Sequence, residues 1–136
     1  MRTLIIITLN LFMSLTAFAQ ENTNLTINFE GFVEAEGELF IGVYEKDNFL
    51  GQPFQTKTLV VKADENQVTF ENLPKGEYAV SVYHDLNGNE QFDMDEYGRP
   101  VEPWVMSGNV NPNQRPLWDD AKINLDDTDE KITLKF

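Results

Sequence analysis

Apolar and polar residues alternate in short runs along most of the chain. Leu25, Ile27 and Phe29 alternate with polar neighbours up to Glu30, which is the two-residue period of a strand with one buried face. Glu38 to Tyr44 repeats the pattern with Leu39, Ile41 and Val43 on one side. Its other side carries Phe40 and Tyr44, so both faces of this strand are expected to be covered. Thr56 to Val61 is rich in β-branched residues and reads as a third strand. Gln67 to Glu71 is a fourth, with Val68 and Phe70 inward, and Glu77 to His84 a fifth, with Tyr78, Val80 and Val82 inward. Ala121 to Leu125 and Lys131 to Phe136 complete the set, with Ile132, Leu134 and Phe136 on one face of the last.

The segments between these runs carry turn chemistry. Gly31 to Gly37 and Asp64-Glu65-Asn66 read as turns. Leu73-Pro74-Lys75-Gly76 is a tight turn, because Pro74 presets φ and Gly76 supplies conformational freedom. Glu45 to Gln55 is a loop, and its Phe49, Leu50 and Phe54 are expected to fold back over one end of the core. Residues 85–118 form a long irregular loop with prolines at 100, 103, 112 and 116. Within it Trp104, Val105 and Met106 are expected to anchor the segment. Trp104 and Trp118 read as core cover, with sugar stacking as the alternative. Short strands, frequent turns and little helix predict an all-β fold: a seven-stranded antiparallel Greek-key β-sandwich, immunoglobulin-like or prealbumin-like.

The N-terminus departs from this pattern. Arg2, the apolar run Leu4 to Phe12 and Ala17-Phe18-Ala19 have the layout of a secretory signal peptide over residues 1–19. The expected mature chain is then one domain, residues 20–136, exported to the periplasm or the exterior with no stable membrane anchor. The sequence contains no cysteine, which excludes disulfides and a lipid-bearing cysteine after the signal. The formal charge is −13, and without residues 1–19 nine Lys and Arg face 23 Asp and Glu, or −14. Such a surface repels phosphate backbones and anionic lipid heads, so nucleic acid is a poor partner. Cations, basic proteins and neutral glycans stay open as partners.

One segment carries candidate chemistry. Counted from Asp85, oxygen-bearing side chains stand at places one, three, five, nine and twelve: Asp85, Asn87, Asn89, Asp93 and Glu96. The main-chain carbonyl of Gln91 stands at place seven. This is the ligand spacing of an EF-hand-type Ca2+ loop, in which alternate residues point inward to a hard cation. Two features depart from that pattern. Place six is Glu90 where glycine is usual, the glycine being Gly88 at place four, and the preceding segment reads as a strand where a helix is usual. Asn87-Gly88 is equally a favoured hairpin-turn pair, so a metal-free turn is the competing expectation. Asp95 is a substitute ligand, while Asp47, Asp119 and Asp120 depend on where the fold puts their loops.

Catalytic residues are not expected. His84 is the only histidine, and Ser81 lies on the opposite face of its strand. No phosphate loop, nucleophile elbow or set of zinc ligands is present. A small hydrolase or lyase built on His84 and nearby acids is the alternative, and it would need a deep cleft. The run Gly76 to Asn89, with Gly98-Arg99-Pro100, Pro103-Trp104 and Asp119-Asp120-Ala121, resembles the bacterial exported family filed as domain of unknown function 2141. That resemblance implies an exported β-sandwich with no established activity. The Leu-Pro-x-Gly-x-Tyr turn also resembles transthyretin-like and carboxypeptidase-regulatory-like sandwiches. Together these readings describe a non-enzymatic module, with a calcium loop at residues 85–96 that orders a surface for protein or glycan contact. A purely structural domain without metal is the remaining alternative.

Overall fold

The computed structural model describes residues 21–136, and the expected signal peptide lies outside the described residues. Eight strands form two sheets: β1 (Asn22–Glu30), β2 (Glu38–Tyr44), β3 (Gln55–Val60), β4 (Asn66–Pro74), β5 (Gly76–Asp85), β6 (Trp104–Met106), β7 (Ile123–Leu125) and β8 (Glu130–Lys135). The smaller sheet has the order β4-β1-β8. The larger has the order β3-β2-β5-β6, with β7 also on β5. One edge of β5 pairs with β2 through residues 79–85. Its other edge is shared end to end, with Gly76–Tyr78 against β7 and Ser81–Tyr83 against β6.

The alternation read from the sequence sets the core. Leu25, Ile27 and Phe29 of β1, with Phe70 and Leu73 of β4, face Leu39, Ile41 and Val43 of β2 and Tyr78, Val80 and Val82 of β5. Leu125 and Leu134 close the same cluster. Burial of this apolar surface between the sheets is the main stabilising term. Lys75 in the β4–β5 turn pairs with both Glu21 and Asp127, joining the start of β1 to the turn before β8.

Two corrections to the expected strand set follow. The strands number eight among the described residues, because Trp104–Met106 forms β6 inside the segment expected to be irregular. The set is also not wholly antiparallel, since β8 runs parallel to β1, with Leu25 opposite Glu130 and Glu30 opposite Lys135. Alternation reports which face of a strand is buried and is blind to the direction of its neighbour. Ala121, expected to open a strand, ends the short helix α1 (Trp118–Ala121).

The outer face of the larger sheet carries a second apolar cluster. Ala79, Met106 and Ala121 are covered there by Phe49, Leu50, Trp104, Val110 and Trp118. Both tryptophans thus pack as core cover, and Phe49 and Leu50 fold back as expected, whereas Phe54 stays 39% exposed beside the Tyr78 ring.

Candidate metal site

β5 positions the candidate segment. The strand ends at Asp85, where the chain leaves the sheet and turns over its outer face. Asp85 is 3% exposed although it is charged. Its carboxylate accepts the N–H of Gly88 at 2.7 Å on Oδ1 and that of Glu90 at 2.8 Å on Oδ2. Burial by itself would raise the Asp85 carboxyl. The N–H groups of Glu90, Gly88, Asn89 and Asn87 outweigh it and hold the group below its ordinary value of 3.8. From the other side the loop before β2 presses close. A Cβ on Gly37, at φ +80°, would stand 2.4 Å from the Asp85 carbonyl oxygen, which only glycine avoids.

The next ligand candidates bond to one another and to the loop backbone. Asn87 Oδ1 accepts the N–H of Asn89 at 3.1 Å, and Asn89 Oδ1 accepts that of Gln91 at 3.0 Å. The two amide NH2 groups converge on one oxygen, Asp93 Oδ2, from Asn87 at 2.7 Å and from Asn89 at 2.8 Å. Asp85, Asn87, Asn89 and Asp93 are therefore drawn into one hydrogen-bonded loop, with Gln91 in its last turn. Glu90 at place six has φ +59°, the left-handed backbone for which calcium loops ordinarily place glycine there. The sharp turn is made at the expected place by a residue that tolerates it poorly.

Glu96 is not part of this cluster. It is exposed at the second position of a separate turn, closed by the Gly98 N–H on the Asp95 carbonyl at 3.0 Å. Asp95 is consumed by that turn, accepting the N–H groups of Tyr97 and Arg99 and pairing with the Arg99 guanidinium at 2.7 Å. The turn folds the chain back on itself, so that the Val101 N–H reaches the Asp93 carbonyl at 3.0 Å.

The residue this fold-back delivers is Glu102, which the spacing argument does not contain. Glu102 is 8% exposed. Its Oε2 accepts the Asp93 N–H at 3.3 Å, while its Oε1 is buried with no hydrogen-bond partner among the described residues. Burial raises the Glu102 carboxyl above its ordinary range. The N–H groups of Asp93 and Leu86 oppose that rise, and the charges of Asp85 and Asp93 add to it. Its only sequence signal is an acid held between Pro100 and Pro103.

Aromatic rings floor the loop. Phe92 stacks on Tyr83 at 5.1 Å, and Tyr83 stacks on Phe40 at 5.0 Å. The Tyr83 hydroxyl is pushed up first by burial and then by the charges of Asp85, Glu102, Glu90 and Asp93. Leu86, Asn87, Gly88 and Glu90 with Gly37, Glu38 and Asp85 line an open depression of about 400 Å³. Among the described residues, no group of three or more His, Cys, Asp or Glu side chains is arranged to hold a metal ion. With Asp93 turned onto two amides, the carboxylates are close in sequence and fold without sharing a centre.

His84 is placed in packing. It is 2% exposed, its Nε2 lies 2.6 Å from the Glu36 carbonyl, and Phe32 and Phe136 flank its ring. Ser81 stands on the other face of β5 and pairs with Met106. Neither residue lines the depression beside Asp85.

These features define a class: a two-sheet, all-β protein whose central strand runs into an Asp/Asn-rich loop folded over the outer face. Within that class the chain belongs to the family described as "Uncharacterized protein conserved in bacteria (DUF2141)", which matches residues 27–133, from within β1 to within β8. The match includes the whole Asp85–Glu102 segment. No curated protein and no solved structure matches the chain.

Proposed function

We propose that the protein is an exported, non-enzymatic β-sandwich module in which Ca2+ binding to the loop at residues 85–96 orders a surface for contact with an extracytoplasmic protein or a glycan. The observation that supports this most is the loop itself. Of the four side chains at calcium-loop spacing, Asn87 and Asn89 bond Asp93, Asp85 accepts main-chain N–H groups of the same loop, and the backbone turns at place six. Oxygen donors on a polar loop suit a hard cation better than a transition metal, which favours nitrogen or sulfur. The surface on offer is the loop with its aromatic floor, and its acidity favours a basic or neutral partner.

A second reading, a structural domain that needs no ion, is favoured by a different observation. Both Asp85 oxygens and Asp93 Oδ2 already accept hydrogen bonds from the loop. Thermal unfolding separates the two readings. A cation that binds only the folded state raises the melting temperature by mass action. With about 1 mM Ca2+, a concentration suited to extracellular modules, the melting temperature rises over a chelator control. Asp85→Ala combined with Asp93→Ala abolishes that rise. Superimposable melting curves in calcium and in chelator would leave the metal-free domain.

A further inference from the structure

We propose that Glu102, and not Glu96, is the carboxylate that closes the cation site, coordinating the ion through Oε1. This rests on the calcium reading above and assigns its last ligand. A calcium loop needs six to eight oxygens, with a carboxylate from outside the first turns to complete the shell. By spacing that residue is Glu96, but Glu96 is exposed in the Asp95–Gly98 turn. Glu102 stands where the chain returns to the loop. On one side of it the Val101 N–H bonds the Asp93 carbonyl at 3.0 Å, and on the other the His84 N–H bonds the Pro103 carbonyl at 2.9 Å. The residue is thus clamped to both ends of the candidate site, Asp93 and the end of β5.

The state of Glu102 asks for a cation. A carboxylate more than nine-tenths buried, with one oxygen unpartnered and two further acids beside it, is costly unless a positive charge compensates it. The basic side chain nearest in sequence, Arg99, pairs with Asp95, and Glu102 takes part in no salt bridge among the described residues. A divalent ion between Glu102, Asp85 and Asp93 would meet that charge. Asp85, Asn87, Asn89, the Gln91 carbonyl, Asp93 and Glu102 then supply six oxygens, the lower end of calcium's range. Forming that shell requires the Asn87 and Asn89 amides to turn their oxygens inward and release Asp93 Oδ2 from their NH2 groups, 2.7 and 2.8 Å away. A half-turn about each terminal torsion, which is broad and two-fold, does this, and it also gives up the bonds that Asn87 Oδ1 and Asn89 Oδ1 accept from the Asn89 and Gln91 N–H groups, an exchange that the ion must outweigh.

The test is a calorimetric titration of the purified protein with CaCl2, for the parent, Glu102→Gln and Glu96→Gln. The parent and Glu96→Gln bind with matching affinity, and Glu102→Gln binds about tenfold more weakly or worse. Melting in chelator and in calcium guards against a folding defect. Glutamine keeps the shape and removes the buried charge, so Glu102→Gln melts no lower than the parent in chelator and lower than the parent in calcium. Equal calcium affinity of Glu102→Gln and parent overturns the assignment while leaving the calcium reading in place. A loss in chelator as large as that in calcium makes Glu102 a structural residue and also overturns it. A parent that takes up no calcium removes the reading and the assignment together.

Discussion

Glu90 carries a local conflict between its side chain and its backbone. Its φ of +59° lies in the left-handed region, which costs a side-chain-bearing residue about 1 kcal/mol or more relative to glycine. The conformation is held because it aims the Glu90 N–H at Asp85 Oδ2, 2.8 Å away. Glu90→Gly is therefore expected to stabilise the protein by about 1 kcal/mol, read as a higher urea midpoint with an unchanged slope. An unchanged or lower midpoint would mean that the Glu90 side chain repays its own strain. At this scale the sequence was informative where chemistry is local. Places three, five and nine follow from the turn-by-turn geometry of a loop, and the fold brings Asn87 and Asn89 onto Asp93, while Asp85 at place one bonds the loop backbone. Glu102 was hidden because its burial is produced by the fold-back of residues 93–101, and an acid between prolines has no periodicity to reveal that.

Among the elements, β5 organises the rest. It is the strand that both β6 and β7 use, and its end launches the candidate loop. The junction on its outer edge depends on Ser107. Its Oγ accepts the Val80 N–H at 2.8 Å and donates to the Ala121 carbonyl at 2.6 Å, so one hydroxyl joins β5 to α1. Next to it Gly108 lets the chain pass against α1, where a Cβ would stand 2.0 Å from the Asp120 carbonyl oxygen. Ser107→Ala leaves a buried donor and a buried acceptor unpaired, and is expected to cost about 3 kcal/mol in chemical unfolding. A cost within a few tenths of a kcal/mol would show that water replaces the hydroxyl at both groups. The long alternating strands β1, β2, β5 and β8 were legible because each has one face in the core. Three-residue β6 was not, because it is too short to show a period, and its pairing with Ser81–Tyr83 is set by neighbours distant in sequence.

For the molecule as a whole, two sheets enclose one main apolar core, and the strongly acidic surface lies around it. Two-residue alternation and closely spaced turns anticipated the all-β architecture. The parallel β1–β8 pair could not be anticipated, since identical alternation suits either direction. The same acidity bears on any claim of calcium binding, because a surface this negative attracts cations diffusely. A specific site must therefore be distinguished by place as well as by affinity. Backbone amide shifts followed by NMR during a calcium titration make that distinction directly. A specific site gives saturable shifts concentrated between Asp85 and Glu102, largest at Gly88, Glu90 and Gln91, with the strands of the β4-β1-β8 sheet unmoved. Small, unsaturating shifts spread over the acidic turns, including Asp126 to Glu130, or no shifts in the loop at all, would contradict it.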